Sequence, residues 1–123
     1  MIVLLVSLLG GLGAATRFVV DGWIRSRTTG GLPVATMAIN VTGSLLIGFL
    51  AGGLASGALD PDAYVVAATG FCGGYTTFST ASMETVRLAQ EGAYRRALVA
   101  GLGTLLLTVL AAAAGVGVAT ALL

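Results

Sequence analysis

Four apolar blocks constrain this chain before any motif is considered. They run over roughly 2–20, 33–55, 63–86 and 96–123. Each is long enough for the ~20 residues an α-helix needs to cross a hydrocarbon core. Barrel strands would be about ten residues of alternating polarity, and these blocks are neither. The connections, Asp21 to Gly31, Ser56 to Pro61 and Gln90 to Tyr94, are too short for a soluble domain. Only 9% of residues are charged and 57% are hydrophobic, against about 25% charged in a soluble domain. Polar groups cannot cover such a surface, so lipid must be the solvent. The spacing predicts an all-α membrane protein, one integral domain over 1–123 with four transmembrane helices. Arg17 falls near the end of the first block rather than before it, so the block does not read as a cleavable signal. Pro33 suits the first turn of the second helix, and Asp60-Pro61 reads as a turn and helix start.

All six cationic residues are arginine: Arg17, Arg25, Arg27, Arg87, Arg95 and Arg96. They cluster around the first and third connections, which share one side of a four-span chain. The other side holds both termini, Asp60 and Asp62. The positive-inside rule then predicts a multi-pass plasma-membrane protein with both termini extracytoplasmic.

The chemistry on offer excludes most enzymes. There is no histidine and no lysine, so acid–base catalysis would fall to Tyr, Cys and five acids. No phosphate-binding fingerprint occurs in a suitable context. The lone Cys72 excludes an intramolecular disulfide and reads as inert packing. Small residues recur every four positions, at Ser44, Gly48 and Gly52, at Gly70 and Gly74, and at Gly53 and Gly57. This spacing lets helices approach closely in lipid.

The third block carries the most unusual run, Gly70-Phe71-Cys72-Gly73-Gly74-Tyr75-Thr76-Thr77-Phe78-Ser79-Thr80. Gly73-Gly74 weakens a helix, and Thr76-Thr77 can bond nearby backbone instead of continuing the ladder. The third helix is therefore expected to break near its middle. Irregular backbone at membrane depth is tolerated only where protein buries it or it lines a cavity. A break frees carbonyls able to hold a hard cation, and amides whose helix dipole favours an anion. Asn40, inside the second span, reads either as interhelical glue or as a ligand for a passing ion. Phe78 reads either as lipid-facing surface or as a ring edge turned to an anion. Thr104 and Thr108 share a face of span four and most simply bond their own backbone. No acid lies at the centre of a span. Glu84 is expected to pair with Arg87 at i+3.

Three of these stretches resemble the Fluc/CrcB fluoride channel family along the whole chain. They are Gly10-Gly11-Leu12-Gly13-Ala14-Ala15-Thr16-Arg17-Phe18, Ala35-Thr36-Met37-Ala38-Ile39-Asn40-Val41-Thr42-Gly43-Ser44 and the run from Gly70 to Thr80. The resemblance implies an antiparallel dimer of four-helix subunits with two pores and passive export of cytoplasmic fluoride. It implies that Asn40, Phe78, Ser79 and Thr80 line the fluoride pathway, with Thr104 and Thr108 extending it. It further implies that the Gly73 and Thr76 carbonyls hold a structural Na⁺ at the dimer interface, and that Arg17 sets a vestibule or anchors the subunit. Moving a carboxylate-sized ion into a dry interior costs on the order of 20 kcal/mol. Hydroxyls, an amide and ring edges can replace water stepwise without trapping the ion.

Two positions depart from the family pattern. Phe-Ser-Thr-Phe is here Phe78-Ser79-Thr80-Ala81, and a span-four tyrosine is replaced by Ala100. Together with the one-sided arginines, these departures favour a heterodimer with a homologous four-span subunit over a homodimer. Two alternatives stand beside the channel. A small multidrug-type proton-coupled transporter would need a carboxylate inside span one, which has none before Asp21. A non-conducting structural partner subunit would tolerate the missing ring.

Overall fold

The computed structural model describes residues 1–123. Helix α1 spans Ile2–Arg25 and α2 spans Val34–Ala55, directly after Pro33. The third crossing is shared by two pieces. Its first piece, α3, covers 61–75. Asp60 caps it, accepting from the backbone N–H groups of Asp62 (3.0 Å) and Ala63 (3.2 Å), with Pro61 at the first position. That is the start expected from Asp60-Pro61, because Pro lacks only an amide that would be unpaired there. Over Val65–Cys72 this helix widens to i→i+5 bonding before closing again at Gly73–Tyr75.

Thr76 (ψ 160°) and Thr77 (φ −148°, ψ 114°) are extended, and helix α4 resumes over Phe78–Gln90. The break lies where the glycines and threonines predict it. Helix α5 runs over Tyr94–Leu122, with a second wide turn at Val99–Gly103. Helices α1, α2 and α5 are each long and apolar enough to cross a membrane alone.

Small residues hold the helices together. A Cβ on Gly48 would overlap the Ala112 carbonyl, and one on Gly115 would overlap the Leu45 carbonyl. Gly52 faces Val116 and Ala119. Across the α1–α3 seam, Gly13 abuts the Phe71 carbonyl, Gly74 abuts the Gly10 carbonyl, and Gly70 meets Val6 and Leu9. Lipid supplies no hydrophobic drive between helices, so close backbone contact is what holds them. Gly57 does not continue this stripe. It lies past the end of α2 at Ala55 and turns the chain at φ +78°.

Apart from Ile39, the interior is built from small and polar groups, including Ala35, Thr36, Asn40, Cys72 and Thr104, while most large apolar side chains face outward. Cys72 is fully enclosed, as its apolar surroundings suggested. Gly31 in the first connection sits against the Arg96 guanidinium, whereas Gly53 meets Leu59 and Leu123. The first and third connections thus share one end, with the second connection and the C-terminus at the other. At the arginine-bearing end, the Arg27 guanidinium stacks 4.5 Å above the Trp23 ring, an arrangement suited to a membrane–water boundary.

Candidate functional site

A side-chain clamp holds the break in the third crossing. Asn40 Nδ2 donates to the Thr77 carbonyl (2.9 Å), and Asn40 Oδ1 accepts from the Thr77 N–H (2.8 Å). Both groups sit inside the protein, each residue 8% exposed. In an unbroken helix the Thr77 N–H would go to the Gly73 carbonyl, and the Thr80 N–H to the Thr76 carbonyl. Here the first goes to Asn40 and the second to Thr77 Oγ1 (3.2 Å). The carbonyls of Gly73 and Thr76 have therefore lost their i+4 donors. Thr76 turns back on the preceding helix, its hydroxyl donating to the Cys72 carbonyl at 2.9 Å. Gly43 on α2 leaves room for the Thr76 methyl, which a Cβ there would overlap.

The break opens into two cavities. The larger, about 530 Å³, lies between α2, α4 and α5 and is lined by Asn40, Ser44, Thr76, Thr77, Phe78, Thr85, Thr104 and Thr108, with no charged side chain. Ala81 and Ala100 line it too. Its threonines are mostly committed to their own helices. Thr85 donates to the Ala81 carbonyl, Thr104 to that of Ala100 and Thr108 to that of Leu105. Span-four hydroxyls bonding their own backbone is what their sequence context suggested. The Phe78 ring stands at the rim, 87% exposed in the isolated chain.

The smaller cavity, about 270 Å³, is lined by Arg17, Asp21, Arg25, Thr36, Thr77 and Thr80 among others. Arg25 binds Asp21 (2.8 Å) and Glu84 (2.9 Å), and the buried Thr36 hydroxyl donates to Glu84 Oε1 at 3.0 Å. This corrects the expected Glu84–Arg87 pair. Glu84 lies toward α1 and α2, where Arg25 meets it from 59 positions away, beyond the reach of any helix-spacing rule. Glu84 Oε2 is buried and accepts no hydrogen bond.

The expected pathway residues thus divide. Asn40, Phe78, Thr104 and Thr108 line the larger cavity, while Thr80 and Arg17 line the smaller. Ser79 lines neither and is exposed, with its hydroxyl 3.5 Å from that of Thr77. Gly73 is exposed and Thr76 half-buried on the N-terminal side of the break. Sequence reasoning gave Thr77 no site role, although its place just before Phe78-Ser79-Thr80 is an N-cap signal. Thr36 and Thr85 carried no local signal at all.

Comparison with known proteins places this architecture. The family described as "CrcB-like protein, Camphor Resistance (CrcB)" matches residues 4–116. The chain is 49% identical over 117 residues to "Fluoride-specific ion channel FluC 1" of Leifsonia xyli subsp. xyli, covering 95% of this chain and 84% of that protein. It is 46% identical over 115 residues to "Fluoride-specific ion channel FluC" of Syntrophotalea carbinolica, covering 92% and 91% respectively. A "Fluoride-specific ion channel FluC 2" from Cutibacterium acnes is 44% identical over 116 residues, covering 94% of each chain. A four-crossing membrane chain with a clamped break in its third crossing, matched along nearly its whole length, belongs to the CrcB-like family.

Proposed function

We propose that this chain is a subunit of a fluoride-selective channel that lets cytoplasmic fluoride leave passively and so reduces fluoride toxicity. The observation that carries the reading is the uncharged groove beside the Asn40–Thr77 clamp, an apolar wall carrying a few amide and hydroxyl groups, in a chain whose relatives bear fluoride-channel names. Fluoride holds its hydration tightly, so a pathway must offer donors one after another. Asn40 and Thr80 supply an amide and a hydroxyl, the exposed Ser79 adds another, and Thr104 and Thr108 would donate only by turning from the carbonyls of Ala100 and Leu105. The Phe78 edge carries the positive part of a ring quadrupole. None is a full charge, so the ion is not trapped. Arg17 makes no ion pair within the chain, which suits it to drawing anions into the smaller cavity. Such a chain is a conduit and not a catalyst.

The Gly73 and Thr76 carbonyls suit a hard cation such as Na⁺, which takes oxygen ligands. Both have lost their helical donors, and a carbonyl left unpaired in an apolar setting is costly. Those carbonyls would hold Na⁺, whose charge would secure the break where two subunits meet. In this reading the partner is a homologous four-span subunit in the antiparallel orientation, and the termini face away from the cytoplasm. All six arginines lie toward one end, so this sequence favours a single insertion direction and hence a non-identical partner.

A specific observation favours the second reading, a non-conducting structural subunit. Ala81 and Ala100, the two small residues at positions where bulk was expected, line the same groove. The small multidrug-type reading is weaker, because the one acid of α1, Asp21, is bound by Arg25. The test is fluoride resistance in cells lacking their own fluoride exporters. Resistance conferred with a partner subunit and abolished by Asn40→Ala or Phe78→Ala, with dimers intact, supports the channel. Unchanged resistance in both variants supports the structural subunit.

A further inference from the structure

We infer that Thr77 is the threshold over which an anion crosses between the two cavities, its side-chain hydroxyl handing the ion from one to the other. The inference rests on the fluoride-conduction reading and assigns a transit role to a residue that reading did not include. The expected pathway residues lie in separate cavities, Thr80 in the smaller and Asn40, Thr104 and Thr108 in the larger. Thr77 is the one residue that lines both. A route joining the two cavities within this chain therefore passes Thr77.

Two features fit Thr77 for that position. Its backbone is fixed on both sides by Asn40, at 2.9 and 2.8 Å, so the threshold cannot drift when an ion arrives. Its hydroxyl is also differently committed from those around it. Thr76, Thr85, Thr104 and Thr108 all give their protons to main-chain carbonyls. Thr77 gives its proton to another hydroxyl, Thr80 Oγ1 at 3.0 Å, with Ser79 Oγ as a second neighbour at 3.5 Å. A hydroxyl rotor has one donor and two acceptor sites. It can turn its proton from Thr80 to a guest anion while its lone pair still accepts the Thr80 N–H. Handover then costs one neutral hydroxyl–hydroxyl bond and leaves no backbone carbonyl unpaired.

The competing role is purely structural, because the same oxygen caps α4. Three variants separate the two, read as fluoride efflux from vesicles carrying the chain with its partner subunit. Thr77→Ser keeps cap and donor and is expected to conduct within threefold of the parent. Thr77→Val keeps the shape but removes the hydroxyl, and is expected to slow efflux at least tenfold. Thr77→Asn keeps the cap, since Asn caps at least as well as Thr, but fills the threshold with a larger group. It is also expected to slow efflux at least tenfold, in an assembly of unchanged size and thermal stability. Parent-like efflux in Thr77→Val, or in Thr77→Asn, overturns the inference, as does equal loss in a stable Thr77→Ser. If Thr77→Val does not fold, the contrast between Ser and Asn decides. Absence of efflux from the parent assembly would instead refute the fluoride-conduction reading.

Discussion

Replacing Asn40 with alanine tests how the break is held. The substitution removes two hydrogen bonds, of 2.9 and 2.8 Å, from the buried main chain of Thr77. Leaving a buried group without its partner costs about 1–3 kcal/mol each, which sets an upper bound of about 2–6 kcal/mol. Hydrogen bonds between membrane helices measure lower, averaging about 0.6 and reaching about 1.7 kcal/mol. The freed Thr77 N–H also has an alternative, the Gly73 carbonyl one turn back. The net loss is therefore about 1–3 kcal/mol, and the break is expected to shift toward continuous helix. That shift would withdraw the Gly73 carbonyl and reshape the groove. The assay pairs thermal unfolding in detergent with fluoride efflux from vesicles. Asn40→Ala should lower the unfolding temperature and reduce efflux more than tenfold. Asn40→Asp keeps an acceptor for the Thr77 N–H but loses the donor and sets a buried carboxylate against the Thr77 carbonyl, so it should lose efflux with at least as large a loss of stability. Parent-like stability and efflux in Asn40→Ala would refute the clamp.

Other consequences follow from the packing and the site. Gly48→Leu must push α2 away from the Ala112 carbonyl, and overpacking of this kind costs about 1–3 kcal/mol or more; size-exclusion chromatography should show loss of monodisperse protein. Glu84→Ala leaves the Thr36 hydroxyl without its acceptor, worth about 1–2 kcal/mol. Glu84→Gln should cost less, because Arg25 keeps Asp21 and its side chain is 47% exposed; thermal melts distinguish the two. Ala81→Phe restores a ring to the groove and is expected to raise fluoride efflux from the chain reconstituted without a partner. Exchanging Na⁺ for a large organic cation during purification should lower dimer recovery, read by cross-linking.

Much of the fold was legible because lipid imposes simple rules. Hydropathy marked the crossings, Asp60-Pro61 marked the start of α3, and Gly73-Gly74 followed by Thr76-Thr77 marked the break. The site was less legible because its contacts join distant positions. Asn40 meets Thr77 across 37 residues and Glu84 meets Arg25 across 59. Such pairings depend on how each helix is rotated about its axis. Helices α2 and α5 are apolar nearly all round, so no amphipathic stripe declares which face turns inward. Ser79 and Thr80 show the consequence. They are adjacent in sequence, yet Thr80 turns into a cavity and Ser79 faces out. The widened turns at Val65–Cys72 and Val99–Gly103 also shift every later residue around its helix, and no residue type announces them.

Selective fluoride conduction is tested most directly by anion efflux from vesicles holding this chain with a four-crossing partner of opposite arginine bias, followed with fluoride and chloride electrodes on the same preparation. Rapid fluoride release is expected from the pair, with no measurable chloride release and little of either from the chain alone. Chloride release matching that of fluoride, or no fluoride release from a stable pair, would contradict it.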